Sequence, residues 1–126
     1  MLHHLSFAVA RLDRSAVFYD AALAALGYVR VWTAPNEIGY GRAGGGDKFA
    51  IKLRAGPVVA PGIGFHVAFS APTREAVDRF HAAAMQHGGG DDGRPGLRPH
   101  YGPDYYAAFV IDPDGYRIEA VISDPI

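Results

Sequence analysis

An α+β fold of two tandem β-α-β-β-β modules, helices outside and each sheet curled around a shared groove, is what this sequence predicts. Three observations carry that expectation. First, the chain resembles itself at one ungapped offset of 62 residues: His4-Leu5-Ser6-Phe7 against His66-Val67-Ala68-Phe69, Phe18-Tyr19-Asp20-Ala21-Ala22 against Phe80-His81-Ala82-Ala83-Ala84, and Gly27 against Gly89. Second, each half opens with a short alternating apolar run, continues at helical spacing, and ends in short β-prone runs. Third, 16 glycines and 9 prolines among 126 residues punctuate many turns.

In the first half, about 1–55, residues His3 to Ala10 read as a strand in which Phe7 and Val9 alternate with small residues. Asp13 is the expected N-cap of a helix carrying Ala16, Tyr19, Leu23 and Leu26 on one face, and Gly27 suits the left-handed residue that closes it. Strands are expected at about 28–34, 37–43 and 48–54, separated by Pro35-Asn36 and by Gly44-Gly45-Gly46-Asp47. Gly56-Pro57 to Pro61-Gly62 reads as the linker. The second half, about 62–126, predicts a strand at 63–70 and a helix at 73–87 capped by Thr73. After Gly88-Gly89-Gly90 come a short strand, a long loop around 93–104, and a hairpin with strands at 105–111 and 116–122. Its turn, Asp112-Pro113-Asp114-Gly115, combines a Pro that presets φ with a Gly that accepts the left-handed region.

Hydrophobic residues make up 49% and charged residues 20%, so the chain can bury a core and disorder is excluded as its main state. Twelve basic against 13 acidic residues leave a net charge of −1, which argues against a nucleic-acid backbone as partner. With no cysteine, disulfides and thiolate metal sites are excluded. No apolar run reaches the roughly 20 residues of a membrane span, and His3, His4 and Ser6 stand where a secretory leader would be apolar. One domain over 1–126, in the cytoplasm, without membrane or nucleic-acid partner, is the expectation.

Strand parity nominates the chemistry. If Leu5, Phe7 and Val9 pack on the helices, His4, Ser6 and Ala8 face the groove; likewise His66, Ala68 and Ser70, and Arg117, Glu119 and Val121. Matching Ile118-Glu119-Ala120 to Ile51-Lys52-Leu53 makes Lys52 the counterpart of Glu119. Two imidazoles and a carboxylate on rigid strands suit one divalent ion, Fe(II), Mn, Zn or Ni, with open positions for substrate. The plainer alternative is that each His is a half-buried strand residue with a backbone partner.

His4-Leu5-Ser6-Phe7-Ala8-Val9 with Leu12-Asp13, Ser15 and Phe18-Tyr19 resembles the opening of the vicinal oxygen chelate superfamily, and Asp112-Pro113-Asp114-Gly115-Tyr116-Arg117-Ile118-Glu119 resembles its closing hairpin. That superfamily includes glyoxalase I, extradiol dioxygenases, fosfomycin-resistance proteins and bleomycin-binding proteins. The resemblance implies His4, His66 and Glu119 as metal ligands and a homodimer as the working form. It also implies divalent-metal-dependent conversion of a small oxygenated substrate: a lyase, isomerase, group-transfer or oxygenation reaction. A metal-free small-molecule binder of the bleomycin-resistance type is the alternative. Lys52 stands where bacterial glyoxalase I is expected to carry a fourth ligand, a Glu. It is expected to pair with Glu119 or, with metal bound, to turn toward an anionic substrate group or serve as a base; the plainer alternative is that it snorkels out of the strand end into solvent. The loop from Asp91 to Tyr101 has neither Ser nor Lys, unlike the drug-holding loop of fosfomycin-resistance proteins.

Arg98, His100, Tyr101, Tyr105 and Tyr106 are the expected lid: Arg98 for an anionic group, His100 for proton transfer, the tyrosines for stacking or hydrogen bonds. Packing of the loop onto the sheet is the competing role for each. His81 and His87 read as helix-surface residues, His3 as a neighbour of the site, and Trp32 as a packing or interface residue.

Overall fold

The computed structural model describes residues 1–123. Its elements follow the order β1 (Leu5–Val9), α1 (Leu12–Ala24), β2 (Val29–Ala34), β3 (Glu37–Gly41), β4 (Phe49–Leu53), β5 (Val67–Ser70), α2 (Arg74–Gln86), β6 (Gly90–Leu97), β7 (Tyr106–Ile111) and β8 (Arg117–Ile122). They form two four-stranded sheets of identical topology, β1-β4-β3-β2 and β5-β8-β7-β6. In each, the first strand pairs in parallel with the last, and the remaining pairs are antiparallel. The tandem modules read from the repeat are therefore present.

Two local expectations differ from the structure. Helix α1 starts at Leu12 with Arg11 at the cap position and no side-chain cap; Asp13 lies in the first turn, where its carboxylate accepts from the Arg14 N–H at 2.8 Å. Thr73 does cap α2, its hydroxyl accepting from the Ala76 N–H at 3.0 Å. Strand β6 runs for 8 residues through Gly93 and Gly96, taking in half of the expected loop. Its poor strand formers are recruited by pairing with β7, at the expense of register shifts at Gly93. Gly27 closes α1 as expected, with φ 90° and the Tyr28 N–H returning to the Leu23 carbonyl at 3.0 Å.

Alternation assigns the two faces of each sheet. Phe7, Val9, Phe49 and Ile51 from one sheet and Val110, Ile118 and Ala120 from the other are buried under α1 and α2, with Phe18, Tyr19 and Phe80 between. One core thus serves both modules. The opposite faces, carrying Ser6, Lys52 and Trp32 on the first sheet and His66, Ala68 and Ser70 on the second, stay open to solvent.

The β7–β8 turn fastens the modules together. Asp112, 4% exposed, accepts from the Tyr19 hydroxyl at 2.5 Å and from the backbone N–H groups of Asp114 and Tyr116 at 2.8 and 2.9 Å. Asp114 takes the Arg14 guanidinium at 2.8 Å and the Ser15 hydroxyl at 3.2 Å. Burial raises the Asp112 carboxyl above its ordinary value, and the Tyr19 phenol is raised by burial and then by the facing carboxylate.

Candidate functional site

The open face of the second sheet carries one row of register partners: Ala68, Glu119, Phe109 and Gly93. Glu119 is the chemically loaded member. It is 1% exposed, a rare state for a carboxylate, and both its oxygens are engaged. His66 Nε2 lies 3.0 Å from Oε1, and the Tyr105 hydroxyl donates to Oε2. The His66 ring itself stays half exposed and meets the edge of Phe109, centroids 6.4 Å apart. Burial, followed by the bond to Glu119, pushes the Tyr105 phenol above its ordinary range, so it is a donor at neutral pH.

The loop after β6 closes over this row. Backbone bonds from Arg98 N to Tyr105 O (2.7 Å) and from Tyr101 N to Arg98 O (2.9 Å) fold residues 98–105 into a tight crossing. His100, Tyr101 and Tyr105 then form a chain of ring contacts, with centroids 4.1 and 5.1 Å apart, that ends at Glu119. Arg98 lies with its guanidinium 5.4 Å from the Phe109 centroid, held by a 2.6 Å bond to the Arg94 carbonyl. Gly93 and Gly96 make this possible. A Cβ at Gly93 would stand 3.0 Å from Phe109 and 3.3 Å from Arg98, and one at Gly96 would stand 3.1 Å from Arg98.

Other nominated residues lie elsewhere. Tyr106 points to the helix side, donating to Asp78 at 2.6 Å beneath the Arg74 guanidinium. Lys52 is on the first sheet, 3.3 Å from Glu37 with both side chains exposed, and makes no pair with Glu119. It is also not the counterpart of Glu119. The ladders pair Ser6 with Ala50 and Ala68 with Glu119, and Ser6 and Ala68 are related by the repeat, so Ala50 holds the equivalent place. Lys52 is the equivalent of Val121. The correction has a simple cause: strand side chains alternate with a period of two, and a match by residue type slides by one full period without changing faces.

His4 is exposed at the start of β1, its Nδ1 2.8 Å from that of His3. Among the described residues no group of three or more His, Asp or Glu side chains is placed to hold a metal ion. One chain therefore joins two of the three expected ligands, His66 and Glu119, and holds His4 on the other sheet. The donor chemistry of the pair, an imidazole nitrogen and a carboxylate oxygen 3.0 Å apart, fits two positions of a divalent-ion site. Sequence reading did not single out Phe109, the platform of the row, nor the stapling role of Asp112 and Asp114. The two acids of a four-residue turn were the available signal.

The first sheet has its own version of the aromatic-over-glycine row. Trp32 faces Gly39, where a Cβ would stand 2.3 Å from the indole, and Ala50 beyond it is buried. That row lacks any acid.

Known proteins establish the family and the fold. Residues 1–120 match the family model described as Glyoxalase/Bleomycin resistance protein/Dioxygenase superfamily. A glyoxalase/bleomycin resistance protein from Albidiferax ferrireducens T118 is 32% identical, with a TM-score of 0.80 over 94% of this chain and 95% of that one. A Bacillus halodurans protein is 26% identical, with a TM-score of 0.72 over 96% of this chain and 94% of that one. The fosfomycin resistance protein FosX from Mesorhizobium loti shares the fold at 19% identity, with a TM-score of 0.69 over 97% of this chain and 91% of that one. No curated protein matches the chain in sequence.

Proposed function

The chain belongs to the Glyoxalase/Bleomycin resistance protein/Dioxygenase superfamily, the vicinal oxygen chelate proteins, and from that premise we propose that it is a divalent-metal-dependent enzyme acting on a small oxygenated substrate. The observation that carries this reading is Glu119: a carboxylate buried to 1% exposure on an otherwise open face, with an imidazole on one oxygen and a phenol on the other. A fold has no structural need for such a group there, and burying it has a cost in free energy that function would justify.

His66 and Glu119 would hold the ion together with His4 of a second copy, so that the complete site forms in a homodimer. The open sheet faces and the exposed Val29, Trp32, Leu53 and Leu97 support association. The ion, when bound, supplies Lewis acidity to a substrate carbonyl or hydroxyl oxygen. Tyr105 fixes the Glu119 carboxylate by donating to Oε2, leaving Oε1 directed toward His66. Arg98 presents a cation above Phe109 for an anionic substrate group, and Phe109 offers a flat apolar platform. His100, in contact with Tyr101 at the mouth, is placed to exchange protons with solvent. Lys52 stays with Glu37 and takes no part.

The competing reading is a metal-free small-molecule binder. It is favoured by one feature, that His66 and Tyr105 already satisfy both Glu119 oxygens within a single chain. Metal analysis of protein purified without chelators, with thermal shifts on adding Mn, Ni, Zn or Fe(II), separates the two. One ion per site and a raised melting temperature are expected. Sub-stoichiometric metal and no shift with any of the four would overturn the enzyme reading.

A further inference from the structure

We propose that the seam between the two modules holds a second small-molecule site, for a planar aromatic carboxylic acid. The proposal does not rest on the metal reading. The two sheets meet through side chains, Phe7 against Phe65 and Phe49 against Phe69, and the repeat relates the two ends of that seam. One end is filled. Tyr116 stacks on Phe7 with centroids 4.1 Å apart and planes 15° apart, Phe65 closes in at 6.2 Å, and the Tyr116 hydroxyl donates to the Ala8 carbonyl at 2.7 Å.

The other end is open. Phe69 is the repeat partner of Phe7, and the strand registers make Asp47 the partner of Tyr116 and His3 the partner of Phe65. No ring therefore stacks on Phe69 among the described residues; it receives only the edge of Phe49, at 5.3 Å and 87°. What remains is a cleft of about 560 Å³, within the usual range of small-ligand pockets, roughly 300–1,000 Å³. Its floor is Leu23, Phe49, Val67 and Phe69.

The rim selects the sign of the ligand. The charged residues lining the cleft are Arg42 and Lys48, and no Asp or Glu lines it; His3 and His4, the latter also a ligand in the metal reading, complete the rim. Among the described residues neither Arg42 nor Lys48 has a carboxylate within salt-bridge distance. Arg42 is instead poised over Tyr28, 5.5 Å from the ring centroid, and the Tyr28 hydroxyl spans the seam to the Ser70 carbonyl at 3.3 Å. The nearby Asp47 carboxyl is held below its ordinary titration range chiefly by the Trp32 indole N–H. An aromatic ring would take against Phe69 the place that Tyr116 takes against Phe7, and its carboxylate would reach Arg42 and Lys48.

Titration calorimetry of the full chain without added metal tests this, with 2-naphthoate as the probe and 2-naphthol as its uncharged counterpart. Saturable binding of one naphthoate per chain is expected, with 2-naphthol about tenfold weaker or more. Phe69→Leu, and separately Arg42→Ala with Lys48→Ala, should each weaken naphthoate about tenfold. Asp47→Asn, which removes the acid beside the rim, should bind at least as tightly as the native chain, because Asp47 does not line the cleft. Glu119→Gln should bind naphthoate unchanged, because Glu119 does not line the cleft; the two sites share only His4, so loss of the metal response in this variant leaves the naphthoate result readable by itself. Absence of saturable heat, or an affinity indifferent to both the Phe69 and the Arg42/Lys48 changes, would overturn the proposal. So would a second copy seated in the cleft, seen as a dimer that excludes the probe.

Discussion

Replacing Glu119 by Gln should stabilise the metal-free protein while removing its metal response, and the structure sets the size of both effects. Gln keeps the shape of Glu. Its carbonyl oxygen can accept from Tyr105 and its amide can donate to His66 Nε2, so neither contact is orphaned. Lost are the charge-assisted parts of two hydrogen bonds; gained is the removal of a carboxylate that is 1% exposed and faced only by one imidazole and one phenol. Replacing buried ion pairs by neutral groups of similar volume runs from neutral to a gain of about 4 kcal/mol, and the isosteric Gln, which leaves no partner unpaired, falls within that range. The weakened bonds return about 1 kcal/mol of that, leaving a net gain of about 1 kcal/mol at the middle of the range. For 126 residues, an unfolding entropy near 2.1 cal/mol/K per residue makes each kcal/mol worth about 4 °C.

The assay is thermal unfolding of both proteins in chelator and then with a divalent ion at about 100 times its dissociation constant, where a native-state ligand contributes about 2.7 kcal/mol, or roughly 10 °C here. The native protein should melt lower in chelator and rise with metal. Glu119→Gln should melt about 4 °C higher in chelator and not move. A variant that melts lower than the native protein without metal would refute the reasoning, because Glu119 would then be serving the fold.

Tyr105→Phe should leave the fold intact and weaken metal binding about tenfold, since it frees one Glu119 oxygen from its positioning bond; isothermal titration with Mn or Zn measures it. It should also remove one late-titrating phenol from the alkaline absorbance curve, because burial and Glu119 raise that group. Asp112→Asn should flatten acid-range stability. Burial raises the Asp112 carboxyl above 3.8, so its protonated form favours the folded chain; that contribution is full below the unfolded value and is lost as pH rises through the folded one. The stability difference between native and variant, from urea melts at stepped pH, should therefore shrink over that window. Lys52→Ala should change stability by less than about 0.5 kcal/mol and leave metal affinity untouched, because its ion pair with Glu37 is exposed on both sides.

What the sequence disclosed followed the physics of each signal. Helices and the paired sheets were legible because apolar spacing and the Asp112–Gly115 turn act locally. A short strand after Gly90 was expected, but its extension to Leu97 was not, because Gly93 and Gly96 carry no strand preference and extend only when β7 supplies the ladder. Parity placed His66 and Glu119 on one face, since alternation is a covalent property of the strand. It could not set register, and so Lys52 was matched to Glu119 in the place that belongs to Ala50. The Tyr105 contact follows from how residues 98–105 fold back on the sheet, a matter of tertiary structure that no spacing rule encodes.

The departures from internal symmetry explain where chemistry can reside. Two modules of identical topology would offer two identical faces and two identical seam ends, and neither would be selective. Here the second face carries Glu119 where the first carries buried Ala50, and one seam end carries Tyr116 where the other carries Asp47. Each substitution trades stability for a vacancy or a charge. Tyr116 against Phe7 is stacking and area that the open end gives up, on the order of 1 kcal/mol for the ring pair alone beyond burial. The filled end suffices to lock the modules, with Asp112 and Asp114 bolting the same turn to α1. The open end can therefore remain unfilled without loss of the interface, just as Ala50 leaves the first sheet free to meet another chain while Glu119 and His66 stay fixed on the second.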